Sequence, residues 1–95
     1  MKIIKITLPN QEVYELNPYM VAYDRTKYYA NSDGFIRGSR EWDEEFEVSM
    51  ENRELTDWLG NNMNWEDIKP YVKRVEEKKD YQKLFLDATI IIENE

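Results

Sequence analysis

The sequence predicts one small α+β domain over residues 1–95, in which a short antiparallel sheet packs against two or three helices. Three observations lead there. Two β-rich runs near the start flank a Pro9-Asn10 turn signal and read as a hairpin. Helix-start signals recur through the middle, at Asn17-Pro18, Asn52 and Asn64. The chain closes on KLFLDATIII, which reads as a strand that completes the sheet.

The first run carries Ile3, Ile4, Ile6, Thr7 and Leu8, and the second Val13, Tyr14 and Leu16. Asn17 then offers a cap and Pro18 a preset first helical residue. Tyr19, Ala22, Tyr23, Thr26, Tyr29 and Ala30 recur at helical spacing as one face, with Asp24, Arg25 and Lys27 away from it. This helix is expected to end near Asn31, before Ser32-Asp33-Gly34. Residues 32–40 read as a connection punctuated by Gly34 and Gly38. REWDEEFEVSM fits two templates: Trp42, Phe46 and Met50 lie four apart, as in a helix, while Phe46, Val48 and Met50 alternate with acids, as in a strand.

Next, Leu55, Trp58 and Leu59 share a helical face behind an Asn52 cap, and Gly60 falls where a helix C-terminus wants a left-handed residue. Asn64 with Asp67 forms a capping-box pair for a further turn, limited by Pro70. Tyr71 to Lys79 is charged and fits helix and strand nearly equally. The run Ile90-Ile91-Ile92 predicts a strand covered on both faces, or one that a partner covers.

Composition narrows the chemistry. Cysteine and histidine are both absent, which removes disulfides, thiolate metal sites, the usual acid/base near neutral pH and the commonest metal ligand. No nucleophile or phosphate-loop motif is present, so a non-enzyme without cofactor is expected. Tyr29 to Arg40 places Asn31, Asp33, Gly34 and Ile36 at inner positions of a calcium loop, but Tyr29 and Arg40 stand where the outer ligands belong; a plain turn is the better reading. No apolar run approaches a membrane span, and the N-terminus does not read as a signal peptide.

The net charge of −7 is concentrated. Residues 38–67 hold two basic and ten acidic side chains, whereas residues 68–95 hold six of each. Such a block repels nucleic acid and membrane surfaces and attracts basic partners. The basic clusters Lys73-Arg74, Lys78-Lys79 and Lys83 are diluted by acids, so direct nucleic-acid binding is not expected. Tyr28-Tyr29 beside Arg25 and Lys27 is better explained by helix packing than by base stacking. Trp42 and Trp58 among the acids resemble interface anchors, although Trp58 at helical spacing is expected in the core. The candidate partner-binding set is Trp42, Asp43, Glu44, Glu45, Glu47, Glu51, Glu54, Trp65 and Glu66, with Trp65 facing the partner beside Glu66 and Asp67.

Two segments, VAYDRTKYYA at 21–30 and DWLGNNMNWED at 57–67, together resemble a group of small acidic proteins encoded by tailed bacteriophages. The resemblance covers the middle of the chain and leaves out the hairpin and the isoleucine-rich end. It implies a phage or prophage accessory protein in the cytoplasm of the infected bacterium, and transfers no catalytic residue. The expected function is a non-enzymatic module that binds a host or phage protein with a basic surface. In its sharper form, it inhibits a defence or nucleic-acid-handling protein by mimicking nucleic-acid charge. The alternative is a small structural or assembly protein that forms a homo-oligomer through its isoleucine strand.

Overall fold

A computed structural model of the chain describes residues 1–72 and 81–94. The elements run β1 (Lys2–Thr7), β2 (Val13–Leu16), α1 (Pro18–Asp33), α2 (Arg40–Ser49), α3 (Asn52–Asn62), α4 (Trp65–Ile68), a 3-10 turn (Lys69–Tyr71), α5 (Tyr81–Leu86) and β3 (Thr89–Asn94). The fold is α+β, as expected, and its sheet joins the N-terminal hairpin to the C-terminal strand. Three longer helices are accompanied by the short α4 and α5.

The sheet is antiparallel, in the order β2-β1-β3. Ile4 lies between Leu16 and Ile92, and Ile6 between Tyr14 and Ile90. Directly opposed residues share a face, so these six side chains line the covered side, and Ile4, Ile6, Tyr14 and Leu16 are buried. Lys5, Glu15, Ile91 and Val13 belong to the other side, where Val13 and Ile91 are exposed. Ile91 is thus open on its own face, and the expectation of a strand covered on both faces fails among the described residues. The hairpin closes where the Gln11 N–H donates to the Leu8 carbonyl at 2.9 Å. Gln11 takes a positive φ of 73°, and Asn10 Oδ1 accepts from the Glu12 N–H at 3.1 Å.

Asn17 Oδ1 caps α1 by accepting from the Tyr19 N–H at 2.9 Å. The helix runs two residues past the expected end, to Asp33, and closes on Gly34 at φ 81°. Asn31 and Asp33 therefore lie in the last helical turn rather than in a cation loop. The buried face also differs from the expected stripe: Val21, Ala22, Arg25, Thr26 and Ala30 are buried, while Tyr19 is 52% exposed.

Segment 41–50 is helix. Ser39 Oγ accepts from the Trp42 N–H at 3.2 Å to start it, and Trp42, Phe46 and Met50 turn inward at four-residue spacing. Val48, which the strand template groups with Phe46 and Met50, is exposed. The far end of α2 receives a distant cap, since Lys2 Nζ donates to the Met50 carbonyl at 2.6 Å.

Glu51, not Asn52, holds the cap position of α3. Gly60 does not end this helix, which continues to Asn62 and stops at an extended Met63. Gly60 sits against β3, where an added Cβ would meet Ile90 Cδ1 at 3.7 Å. Asn64 and Asp67 do form the expected capping box, with the Asn64 N–H donating to Asp67 Oδ2 at 2.7 Å. The expected C-terminal strand is shorter than KLFLDATIII. Lys83 to Leu86 are helical in α5, and β3 begins with the β-branched residues at Thr89. Most of the Tyr71–Lys79 stretch, including Lys73-Arg74 and Lys78-Lys79, lies outside the described residues.

Candidate partner-binding surface

The acidic block folds into two layers that the linear sequence interleaves. Helix α2 turns Asp43, Glu44 and Glu47 outward with Glu41, all exposed, and Glu51 is exposed at the start of α3. Glu44 accepts from Arg40 Nε at 3.0 Å across one exposed helical turn. Glu41, Asp43, Glu47 and Glu51 have no ion-pair partner among the described residues.

Beneath them, Glu45 and Glu54 close on one arginine. Arg25 of α1 is buried, its Nη1 lying 2.8 Å from Glu45 Oε1 and its Nη2 3.1 Å from Glu54 Oε2. Nη1 also donates to Ser49 Oγ at 2.9 Å, and Ser49 Oγ is hydrogen-bonded to Thr26 Oγ1 at 3.0 Å. The guanidinium lies 4.7 Å from the Tyr29 ring centre. A planar fork with five donors suits such a junction of three helices. Glu45 and Glu54 are therefore withdrawn from the partner-binding set: their carboxylates neutralise a buried cation. Arg25, expected on the outer side of its helix, is the centre of this clasp.

Both tryptophans of the candidate set are withdrawn too. Trp42 is buried, with its ring edge-on to Tyr23 at 5.7 Å. Trp65 is 2% exposed, set 5.4 Å from Tyr14 and 6.1 Å from Phe85, and its backbone N–H donates to Gln82 Oε1 at 2.7 Å. As the first helical residue after its cap it points back into the sheet, which is how α4 finds its seat. Trp58 is buried as expected, and its Nε1 donates to Asp24 Oδ2 at 2.9 Å. Glu66 is exposed, but α4 packs with α5 and the 3-10 turn rather than with α2. Of the candidate set, Asp43, Glu44, Glu47 and Glu51 remain on one acidic face, and the structure adds Glu41 to it.

An open hollow of about 540 Å³ on α1 escaped the sequence reading. Tyr19, Tyr23, Lys27 and Arg37 line it with Tyr71 and Met63. Arg37 and Lys27 lie 5.1 and 6.0 Å from the Tyr23 ring centre, and Tyr19 stacks on Phe46 of α2 at 6.0 Å. Tyr23 in turn packs on Trp42, so the aromatic hollow borders the acidic helix. The only trace of it in the sequence is the exposed tyrosine pattern of α1. Tyr28 and Tyr29 both pack on Trp58, with ring centres 5.4 and 6.1 Å away, and Arg25 is inside the fold.

Among the described residues no group of three His, Cys, Asp or Glu side chains is placed to hold a metal ion, and no helix is long and apolar enough to cross a membrane. Compared with known proteins, the chain matches no family model, no curated protein and no solved structure.

Proposed function

We propose that this chain is a non-enzymatic binding module that engages a basic protein surface through the outer face of α2 and the start of α3. The observation that carries the reading is the sorting of charge. Two carboxylates are consumed by Arg25, while Glu41, Asp43, Glu47 and Glu51 are exposed and have no ion-pair partner among the described residues. Carboxylates held on one helix face steer a basic partner and fix its orientation. The bordering Tyr19 and Tyr23 supply rigid aromatic area of the kind that anchors interfaces. In this reading, which the resemblance to tailed-phage proteins supports, the module acts in an infected bacterium's cytoplasm on a host defence or nucleic-acid-handling protein whose basic groove accepts carboxylates in place of phosphates.

The test is affinity capture from bacterial lysate with wild type and with Asp43→Lys/Glu44→Lys/Glu47→Lys. Glu45 is kept, so the clasp survives. Loss of the captured partner in the triple variant, and its release by rising salt, are expected. An unchanged partner set with a folded triple variant overturns the acidic-face reading.

A further inference from the structure

We propose that β3 is a dimerisation edge, pairing antiparallel with β3 of a second copy about a two-fold axis perpendicular to the sheet. Among the described residues the order β2-β1-β3 leaves two edges, and they differ. The β2 edge is four residues long and is followed at once by Asn17 and Pro18, which has no N–H to donate. The β3 edge is six residues long, without proline, and carries three consecutive isoleucines. Its one charged residue, Glu93, is held by Lys5 at 3.0 Å. Short edges, prolines and unpaired charges are the usual guards against strand addition. The β2 edge has two of these devices, shortness and a proline, and the β3 edge has none.

The strand is also complementary to itself. A two-fold axis across an antiparallel pair sets residues of the same face opposite each other. Centred on Ile91, it places Ile91 beside Ile91 of the second copy on the open side and Ile90 beside Ile92 on the covered side. Thr89 then meets Glu93, so no like charges are opposed. Ile91 is 48% exposed in the single chain and would be covered. The result is a six-stranded sheet whose outer edges are both β2, so growth stops at two copies. This inference is independent of the acidic face, which lies on α2.

Sedimentation equilibrium of the full chain tests it. The expected mass is twice the 11.6 kDa of one chain, and Ile91→Lys is expected to return it to one chain mass at the same concentration. Because the chain has no cysteine, Ile91→Cys is a clean second probe. Directly opposed thiols are within reach of a disulfide, so oxidation should yield a covalent dimer, while Ile36→Cys at another exposed position should not. A wild-type mass of one chain at every concentration, a series of larger species, or no selective cross-link through Ile91→Cys overturns the proposal. So does a dimer unchanged by a folded Ile91→Lys chain.

Discussion

Glu45 and Glu47 stand two residues apart on α2 and have opposite surroundings. Glu45 lies 2.8 Å from a buried guanidinium with its side chain 29% exposed, whereas Glu47 is exposed with no ion-pair partner among the described residues. Two residues on a helix are about 200° of rotation, enough to carry one carboxylate into the seam with α1 and the other into water. Residue type alone therefore says nothing about role in this block. What separates the two layers is a cation on another helix, twenty residues earlier in the chain.

The sharpest way to break that contrast is Arg25→Ala. It removes the cation shared by Glu45 and Glu54, strips Ser49 Oγ of its guanidinium donor and uncovers the Tyr29 ring. Losing one member of a buried charged junction costs about 3–5 kcal/mol, and the partial exposure of both glutamates lowers the expectation to about 2–4 kcal/mol. Arg40→Ala is the matched control. Its ion pair with Glu44 has side-chain exposures of 88% and 65%, and its loss should change stability by less than about 0.5 kcal/mol. Urea denaturation of both variants gives the comparison. Equal losses would mean that the Arg25 clasp is no more than a surface pair.

A smaller effect tests whether Glu45 belongs to the clasp through its charge. Glu45→Gln keeps an oxygen that can accept from Arg25 but removes the ionic part of the contact, and should cost about 1 kcal/mol. In a double-mutant cycle with Arg25→Ala, Glu45→Gln should show coupling of about 1 kcal/mol, while Asp43→Asn should show none. Coupling at Asp43 equal to that at Glu45 would erase the distinction between the layers.

The parts of the fold that read from sequence are those decided within a few residues. The Pro9-Asn10 hairpin, the Asn17-Pro18 helix start and the Asn64/Asp67 capping box are local hydrogen-bonding solutions, and each stands as read. What the sequence left open or misread shares a different cause. Segment 41–50 satisfies both periodicities, and it is helical because Ser39 caps it and Tyr19 and Tyr23 of α1 meet Phe46 and Trp42. Gly60 has the residue type of a cap, yet it lies inside α3, where a Cβ would meet Ile90 at an ordinary contact distance of 3.7 Å. Arg25 reads as surface because arginine usually is; its burial depends on two acids supplied by later helices. Trp42 and Trp65 read as anchors because aromatic residues among acids fit an interface as well as a core. In a small domain the core claims them first, since its burial margin is thin. Of the acidic site, the outer residues were legible as charge and the inner two were not separable from them.

Glu47→Lys gives the smallest expected change in stability and sharpens the comparison most. Glu47 sits in the last turns of α2, where the helix dipole favours cations, and the helix has no basic residue in its last turn. It also stands one turn from Asp43, a like charge at i,i+4 spacing. Both terms are unfavourable to a carboxylate, so Glu47→Lys should raise stability at low salt by about 0.3–0.5 kcal/mol, with the gain fading as salt screens it. Glu45→Lys, facing Arg25 instead, should lower stability at every salt concentration. A thermal melt series in rising salt separates the two. If Glu47→Lys strengthens the fold while weakening partner capture, its carboxylate is held on that face at a cost to the helix, and binding rather than folding is what it serves. If it destabilises the chain as Glu45→Lys does, the outer layer is structural and the division between the two glutamates collapses.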